Sequence, residues 1–406
     1  MGLFQGHKDI DAPKNIITWD VDPYSEEVLL NPEKFFTNLR EKGPFVFLNK
    51  YKMLACGRYK ETKEVFSDHK RFVSSRGVGI QDFKLEAPWR PPSLVLEVDP
   101  PIHTKNRRIL TRALAPNKIA RLKDFFRASA DKLINELLPI KEIDAISDLA
   151  EIYPTRVFPE AVGLKKIDKE TLLGYGAMVF NALGPDNEFR KAAMAKGLSV
   201  IEKINKQCLE ENIEAGGLAE EIYKSTANIS EKGQLAGMLV RSLLSAGIDT
   251  TVSAIGNLIW CFSKNPEQFQ IIKDNKSLIG NAFEESLRLT SPVKAFCRTC
   301  AAETEVSGVI IEEGTKILCV LGSANTDPEV WDNPYNYDVT RRTIGHLALG
   351  IGVHNCVGQT LARAEVTALA GALADKVRSI KPMGSANWKP NNAMRSLESL
   401  PITLEA

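Results

Sequence analysis

The sequence predicts a mainly α-helical protein with small β-sheets, organised as one domain over residues 1–406. Helical periodicity dominates from about residue 117 to residue 380, whereas alternation of apolar and polar side chains is confined to short stretches. With 44% hydrophobic and 25% charged residues, the chain has enough apolar side chains for a large core. It contains no internal repeat, low-complexity tract or linker, and a single domain is therefore expected.

The first hundred residues combine short elements with one long loop. Residues 32–42 begin with proline and carry an apolar face, which predicts a helix. Residues 45–56 are expected to form two short strands, and residues 59–67 the next helix. Residues 73–98 lack periodicity and contain several prolines and glycines, so they predict a long loop, and loops of this length usually serve a function. A helix is expected to open at 99–103 and to continue to Leu114.

The remainder of the chain is predicted to be helical with one β interruption. Residues 305–321 indicate a hairpin that turns at Glu313-Gly314, and residues 383–406 indicate loops and short strands. The predicted helices cover residues 117–138, 145–162, 168–183, 187–212, 217–227, 231–262, 266–273 and 276–290.

Charge and cysteine content disfavour several classes of protein. The 52 basic and 51 acidic residues leave a formal charge of +1, which gives no global attraction to nucleic acid or to an anionic membrane. The seven cysteines are an odd, scattered set, typical of a reducing compartment. Cys297 and Cys300 form one Cys-x-x-Cys pair, but no second pair accompanies it, which disfavours a zinc or iron–sulfur site. Without a signal region or a run of about 18 apolar residues, a cytoplasmic monomer away from membranes is expected.

A glycine-rich stretch, residues 345–365, holds one cysteine. Cys356 lies in a turn with Gly350, Gly352 and Gly358, and a helical pattern follows directly. Glycines allow the backbone to approach a flat, bulky group closely. A thiol at a helix N-terminus is stabilised as a thiolate, which suits it to bind a metal. Taken alone, however, the stretch is better explained as a loop that contains a buried cysteine.

The predicted helix at 231–262 has an interruption at its centre. Gly247, Thr250 and Thr251 are residue types that disfavour a helix interior. Such a disruption frees a backbone carbonyl and admits hydroxyls or water, and Asp249 beside Thr250 would supply a proton relay. The alternative is an ordinary helix whose threonines bond back to its own carbonyls.

The other charged residues indicate a function only when they are considered together. Glu285 and Arg288 are three residues apart on one helix face, a spacing that by itself usually gives a solvated ion pair. Four cations and imidazoles could converge on an anionic group, although each alone fits a surface charge or a helix cap. These four residues are His103, Arg107, Arg298 and His354.

Together these motifs resemble those of the soluble bacterial cytochromes P-450, the haem-thiolate monooxygenases. The matching motifs are Ala246-Gly247-x-Asp249-Thr250, Glu285-x-x-Arg288, Gly350-x-Gly352-x-His354-x-Cys356-x-Gly358 and Asp-Pro-Pro-x-His-Thr at 99–104. They occur in the family's order and spacing, and the resemblance covers nearly the whole chain. It implies a triangular, α-rich domain with haem b between the Asp249 helix and the Cys356 loop. Leu349 is a departure, because the family usually has Phe there, packed beside the thiolate.

The resemblance also implies roles for individual residues. Cys356 is expected to be the axial ligand of the haem iron. Glu285 and Arg288 are expected in a buried structural network. Asp249 and Thr250 match the acid–alcohol pair that delivers protons for the activation of dioxygen. The residues that match ligands of the haem propionates are His103, Arg107, Arg298 and His354.

Weaker matches at 90–93, 180–187, 321–325 and 395–401 resemble a subgroup that oxidises para-substituted benzoates, notably the 4-methoxybenzoate O-demethylases. The expected substrate is therefore a small aromatic acid that is hydroxylated or O-demethylated. Its carboxylate would be bound by serines and neutralised by an arginine, although the same serines would also suit helix packing. The expected polar residues are Arg90, Ser93, Arg241, Ser242 and Ser245, and the expected apolar walls are Val95, Leu96, Phe180, Leu183, Val293 and Phe296. Leu183 stands where subgroup members can have Phe.

Electrons must come from a separate protein, because the chain has neither a flavin nor a ferredoxin domain. The expected donor is a [2Fe–2S] ferredoxin with its NAD(P)H-dependent ferredoxin reductase. Two alternatives remain open: another hydrophobic substrate such as a terpenoid, macrolide or fatty acid, or a haem-thiolate sensor or carrier without turnover. The expected basic docking face consists of Arg107, Arg108, Arg112, Arg341 and Arg342.

Overall fold

A computed structural model describes residues 6–165, 167–195, 197–227 and 232–406. Its α-helices are α1 (Glu26–Leu30), α2 (Glu33–Lys42), α3 (Tyr59–Ser67), α4 (Ile102–Ala113), α5 (Pro116–Ala120), α6 (Lys123–Leu137), α7 (Ile152–Val162), α8 (Lys169–Asn181), α9 (Glu188–Met194), α10 (Gly197–Gln207), α11 (Leu218–Thr226), α12 (Lys232–Gly247), α13 (Asp249–Lys264), α14 (Pro266–Asp274), α15 (Ile279–Thr290), α16 (Leu321–Ala324) and α17 (Gln359–Lys376). A π-helical turn at Ala145–Ala150 precedes α7, and short 3₁₀ turns lie at Asn49–Tyr51, Glu210–Asn212, Lys276–Leu278 and Gly352–His354.

Thirteen short strands are described, and they form four small sheets. The strands are β1 (Ile17–Trp19), β2 (Val46–Leu48), β3 (Met53–Cys56), β4 (Phe72–Val73), β5 (Glu142–Asp144), β6 (Phe296–Cys300), β7 (Thr304–Val306), β8 (Val309–Ile311), β9 (Lys316–Cys319), β10 (Ser379–Pro382), β11 (Asn387–Lys389), β12 (Ser396–Ser399) and β13 (Pro401–Glu405). The largest sheet has the order β1-β2-β3-β9-β6-β4, and the others are β10-β13-β5, β11-β12 and β7-β8. The mainly helical prediction with small sheets is confirmed.

Several predicted boundaries need correction. The predicted helix 117–138 is two helices, α5 and α6, and the predicted helix 187–212 is divided into α9, α10 and a 3₁₀ turn. The predicted hairpin at Glu313-Gly314 is wrong. The chain turns instead at Ser307 and Gly308, both with positive φ, so that β7 pairs with β8. The next strand, β9, leaves this hairpin and pairs with β3 and β6 in the large sheet.

The main core lies among the long helices. Its largest apolar cluster joins residues of α6, α7, α13, α15 and α17. Seven of its aromatic residues are no more than 2% exposed: Phe126, Tyr153, Phe158, Tyr175, Phe262, Phe269 and Phe283. The stretch Gly233–Lys264, which spans α12 and α13, is long and apolar enough to pass for a membrane span, contrary to expectation. Because 56% of its most apolar window is buried, it is accounted for as the central helix pair of the core.

The loop at 74–101, between β4 and α4, forms neither helix nor strand, and three long-range backbone hydrogen bonds join it to other described segments. The amide of Ile80 donates to the carbonyl of Leu183 at 2.8 Å, and the carbonyl of Val78 accepts from Cys297 in β6 at 2.7 Å. The amide of Asp82 donates to the carbonyl of Gly6 at 2.6 Å. The predicted long loop is thus confirmed, and its first half is fixed against neighbouring segments.

A buried ion-pair network connects α15 to the chain segments that follow it. Arg288 donates to both carboxylate oxygens of Glu285 at 2.7 and 2.8 Å, and both side chains are 0% exposed. Arg288 also donates to the carbonyls of Asn325 and Pro334, each at 2.8 Å. Arg341 adds a second cation at 2.9 Å from Glu285. The polar groups of this pair are therefore hydrogen-bonded in several directions, as two buried charges require.

Replacement of Glu285 should be strongly destabilising. Glu285→Gln leaves Arg288 buried without a counter-ion, and we expect a loss of about 3–5 kcal/mol in the free energy of unfolding. The matched control is Glu220→Gln in α11, which breaks the solvent-accessible pair with Lys224, where little or no loss is expected because water screens the two charges. Denaturant unfolding of both variants measures the difference. Equal losses would show that the buried network is not a major source of stability.

Candidate active site

A largely apolar cavity lies between the α12–α13 helix pair and the loop before α17. The 74–101 loop, α8 and the segment after α15 complete its walls. Its lining includes Phe66, Leu110, Leu114, Phe158, Leu243, Ala254, Phe283, Leu287, Ala348, Leu349, Val357 and Leu361. Cys356 also lines this cavity, as do Arg107, Thr250, Arg298 and His354 among the residues predicted to act there.

The loop that presents Cys356 is held by its own backbone. The amide of Cys356 donates to the carbonyl of Leu349 at 2.7 Å, and the amide of Gly350 donates to the carbonyl of Leu347 at 2.9 Å. Gly350 and Gly352 both have φ of 70°, a conformation that residues with a β-carbon rarely adopt. The chain then enters α17 three residues after the cysteine. The thiol therefore lies just before a helix N-terminus, as the sequence predicts.

The surroundings of Cys356 have opposing effects on the pKa of its thiol. Burial raises the pKa of its thiol, while the N–H group of Gly358 and the cations Arg107 and Arg363 act to lower it. The net effect is a raised pKa, which disfavours the free thiolate, and a bound positive group would favour it. A metal ion is such a group, because thiolate is the form that coordinates metals.

Two neighbouring glutamates of α15 fix the Cys356 loop from its N-terminal side. Burial opposes ionisation of Glu284, but hydrogen bonds from His346 and Arg363 outweigh it and lower the pKa of this carboxyl to about 2. His346 lies 2.9 Å from Glu284 and accepts from the amide of Ala348 at 3.2 Å. The second connection runs from Arg288 through Asn325, whose side-chain oxygen accepts from the amide of Leu347 at 2.6 Å.

The predicted interruption of the central helix is present at Ile248, between α12 and α13, where φ is −89° and ψ is −69°. Thr250 donates its hydroxyl to the freed carbonyl of Ala246 at 2.5 Å. Thr250 lines the cavity, whereas Asp249 does not. The carboxyl of Asp249 packs against Gly176 of α8, where a β-carbon would lie within 2.3 Å of it. Burial, partly offset by Lys389, raises the pKa of Asp249 to about 7.

The histidines and arginines near Cys356 include donors without acceptors. The rings of His103 and His354 pack with centroids 4.4 Å apart and an interplanar angle of 56°, and both ring nitrogens of His103 are buried without a hydrogen-bond partner among the described residues. Burial and the nearby cations lower the pKa of His103 to about 4. Arg298 is 1% exposed and donates to the carbonyl of Cys297 at 2.9 Å. Arg107 donates to the carbonyl of Asn355 at 2.6 Å.

These residues fit haem b. Within the described part of the chain, Arg298 is a buried arginine whose sole hydrogen-bond partner is a backbone carbonyl, and it lies beside buried imidazole nitrogens without partners, an arrangement that suits the carboxylates of a porphyrin. The cavity wall supplies the apolar surface for a macrocycle and one thiol for its iron. His103 itself does not line the cavity and contacts it through His354.

A group of polar side chains forms another part of the cavity wall. The hydroxyl oxygens of Ser93 and Ser242 lie 3.4 Å apart, and Ser245 donates to the carbonyl of Ser242 at 3.1 Å. Arg90 lines the cavity beside them and pairs with Glu97 at 3.2 Å. The predicted apolar walls, Val95, Leu96, Phe180, Leu183, Val293 and Phe296, all line the same cavity. Arg241 does not line it and donates instead to the carbonyl of Pro91 at 3.0 Å.

Several residues of the site were not predicted from the sequence. Glu97, Glu284, His346 and Arg363 form ion pairs across long sequence separations or within an irregular loop, so no local spacing indicates them. Glu365 also lines the cavity, and both of its carboxyl oxygens are buried without a hydrogen-bond partner among the described residues. Because Glu365 lies six residues inside α17, the sequence pattern does not distinguish it from an ordinary surface glutamate of a helix.

The buried Asp249 should make stability depend on pH. Its folded-state pKa of about 7 exceeds the ordinary value of 3.8, so the unfolded chain ionises first and the fold loses stability as pH rises between these values. Asp249→Asn should therefore gain stability relative to the unmodified protein from pH 5 to pH 7, with little further change above. Denaturant titrations at several pH values test this, with Asp274→Asn on α14 as control. A pH-independent difference would contradict the raised pKa.

Comparison with known proteins agrees with this geometry. A family model described as cytochrome P450 matches residues 231–397. Cytochrome P450 CYP199A2 from Rhodopseudomonas palustris is 46% identical over 385 residues, which are 95% of this chain and 93% of that protein. Cytochrome P450 107B1 from Saccharopolyspora erythraea is 31% identical over 312 residues, 76% of each chain.

The fold is shared as well. The solved structure of cytochrome P450 CYP109Q5 from Chondromyces apiculatus has a TM-score of 0.79 and 27% identity, and the match covers 95% of this chain and 98% of that one. The interrupted central helix, the Glu285–Arg288 pair and the thiol loop lie in one continuous arrangement around the cavity. Since the similarity extends over nearly the full length, the chain belongs to the cytochrome P450 family of haem monooxygenases.

Proposed function

We propose that this cytochrome P450 hydroxylates or O-demethylates a small para-substituted aromatic carboxylic acid, with 4-methoxybenzoate as the test substrate. One observation carries the proposal: a single apolar cavity is lined both by Cys356 and by the hydroxyl pair of Ser93 and Ser242 with Arg90 beside it. Such a cavity suits a molecule that is flat and apolar over most of its length and anionic at one end.

A carboxylate taken out of water needs donors in place of its hydration shell. The hydroxyl oxygen of Ser93 accepts from the amides of Val95 at 3.4 Å and Leu96 at 3.2 Å, so its proton is available for a ligand. Ser242 donates to the carbonyl of Met238 at 3.0 Å and can turn that proton toward an anion. Ser245 is one turn further along the same face and provides a third hydroxyl.

The other groups are assigned as follows. When bound, haem b supplies the oxygen-inserting chemistry, with Cys356 as its thiolate ligand and Arg107, Arg298 and His354 as donors to its propionates, while His103 supports the His354 ring from outside the cavity. Asp249 holds a proton near neutral pH, and Thr250 presents its hydroxyl oxygen at the helix interruption, so the two can pass protons from solvent toward the cavity. Glu285 and Arg288 act as structural support.

The family uses dioxygen and redox partner proteins, and we assign a [2Fe–2S] ferredoxin that receives electrons from NAD(P)H through its reductase. In the structure, fewer arginines are available for the expected docking face than the sequence predicts. Arg341 is part of the Glu285 network and Arg107 is bound to Asn355, so neither is free to reach a partner. Three exposed cations remain: Arg108, Arg112 and Arg342. The single domain, the monomeric state and the cytoplasmic location stay predictions.

Recognition of the acid can be measured by binding. The haem-loaded protein should bind 4-methoxybenzoate at least about tenfold more tightly than its methyl ester, because the ester cannot form charge-assisted hydrogen bonds. Ser93→Ala and Ser242→Ala should each weaken acid binding by about tenfold, since a hydrogen bond to a charged group contributes about 1.5–3 kcal/mol. Equilibrium dialysis and the haem absorption shift give both constants, and product analysis detects 4-hydroxybenzoate.

Ser263→Ala is the control for these serine variants. Ser263 is a buried serine on α13 that donates to the carbonyl of Trp260 and does not line the cavity. This variant should leave the preference for the acid unchanged. If the unmodified protein bound the ester as well as the acid, the aromatic acid assignment would be wrong.

Docking of the electron donor should depend on salt and on the three exposed arginines. Reversal of charge at Arg108 and Arg112 should lower kcat/KM for ferredoxin by about tenfold at low ionic strength and flatten its salt dependence. Direct reduction by dithionite should not change. Lys34→Glu on α2 is the matched control, because this cation is exposed outside the assigned face. If neither the charge reversal nor an increase in salt changed kcat/KM for ferredoxin, this docking face would be ruled out.

A further inference from the structure

Glu97 is a buried carboxylate that no role assigned above requires. It is 5% exposed and lies on the 74–101 loop, one turn after Ser93. One of its oxygens, Oε2, accepts from the amide of Ser93 at 2.7 Å and from Nη1 of Arg90 at 3.2 Å. Its own amide donates back to the carbonyl of Ser93 at 3.1 Å. Glu97 therefore closes the turn that carries Ser93 and binds the neighbouring guanidinium at the same atom.

Arg90 is only partly satisfied by this arrangement. Its side chain is 9% exposed, and Nη1 donates both to Glu97 and to the carbonyl of Pro91 at 2.9 Å. In contrast, Nε is buried, and no atom of the described residues accepts from it. The Nε edge of a guanidinium is one of the two edges that match a carboxylate. Because Arg90 lines the cavity, a carboxylate there is the acceptor that would complete its hydrogen bonds.

A second cation lies close to the first. Arg241 donates through Nη2 to the carbonyl of Pro91 at 3.0 Å, the same oxygen that accepts from Arg90. Two guanidinium groups that share one acceptor repel each other, and Arg241 is only 8% exposed. Glu97 is the carboxylate paired with this cluster. It reduces two positive charges to a net single charge, which is the complement of one carboxylate.

We propose that Glu97 is a positioning and specificity-determining residue of the acid subsite. It fixes Ser93 and Arg90 for the substrate carboxylate, leaves the Nε edge of Arg90 open, and limits the positive charge that the substrate meets. This inference rests on the proposed function, because it concerns the same end of the cavity. Glu97 does not contact the substrate. It acts through Arg90 and Ser93, and it serves as their counter-ion when no acid is bound.

The test compares acid and ester binding in variants of Glu97. Glu97→Gln keeps an oxygen that can accept from the amide of Ser93 but removes the negative charge. We expect the dissociation constant of 4-methoxybenzoate to fall by about tenfold, because a carboxylate near two uncompensated cations gains Coulomb energy. The constant for the methyl ester should stay within about twofold. Equilibrium dialysis of the haem-loaded protein measures both, and the thermal midpoint reports on the fold.

Two further variants separate charge from structure. Glu97→Asp keeps the charge and shortens the side chain, so it should retain the acid-to-ester ratio of the unmodified protein even if both ligands bind more weakly. Glu86→Gln, on the same loop, removes a carboxylate that binds Gln81 and does not line the cavity, and it should change neither constant. A general structural role for Glu97 would shift the acid and ester constants together in Glu97→Gln, which contradicts the expectation for that variant.

The outcomes distinguish this inference from the proposed function. If the unmodified protein shows no preference for the acid, the substrate assignment fails and the role of Glu97 fails with it. If the preference is present but the ratio is the same in Glu97→Gln, only the role of Glu97 is overturned. An equal rise of the ratio in Glu97→Asp and Glu97→Gln would also overturn it, because the charge would then have no part in the effect.

Discussion

The buried pair of Glu285 and Arg288 is the interaction on which the architecture around the thiol depends. Neither charge reaches water, so the surrounding chain must supply every remaining hydrogen bond. It does so with carbonyls of the segment 325–336, which are thereby held at fixed distances from α15. The side-chain oxygen of Asn325 in turn accepts a hydrogen bond from the amide of Leu347 and so fixes the start of the loop that ends in Cys356. A charge pair in one helix thus determines where a loop some seventy residues later can lie.

Two glycines allow side chains to pack closely around the interruption between α12 and α13. The carboxyl of Asp249 occupies space that only a glycine at 176 leaves free, and Gly247 allows Phe158 of α7 to lie where a β-carbon would be. The helix interruption, the raised pKa of Asp249 and the free hydroxyl oxygen of Thr250 are therefore consequences of one local packing arrangement. The weak point in the central helix is consistent with the proton relay proposed for Asp249 and Thr250.

The sequence predicted what local pattern and spacing determine. The mainly helical class, the interrupted helix at Ile248 and the ion pair at Glu285 follow from periodicity and from residues a few positions apart. The hairpin at Glu313 failed because β9 gains more by joining the large sheet than by pairing locally with β8. Glu97 could not be found because its partners depend on the conformation of an irregular loop, and Glu284 could not be found because its partners His346 and Arg363 are distant in sequence. Arg241 does not line the cavity because it donates to the carbonyl of Pro91, and no sequence pattern indicates the path of that segment.

The way in which the 74–101 loop is fixed has a kinetic consequence. Its first half is bound by backbone hydrogen bonds to Gly6, Leu183 and Cys297, whereas residues 87–92 include three prolines, which have no amide to donate. That short segment is held only through side chains such as Arg90, and its displacement breaks no sheet or helix ladder. Opening a route to the cavity beneath residues 87–92 breaks a few side-chain contacts. Ligand exchange can therefore be fast while the scaffold around the thiol stays rigid.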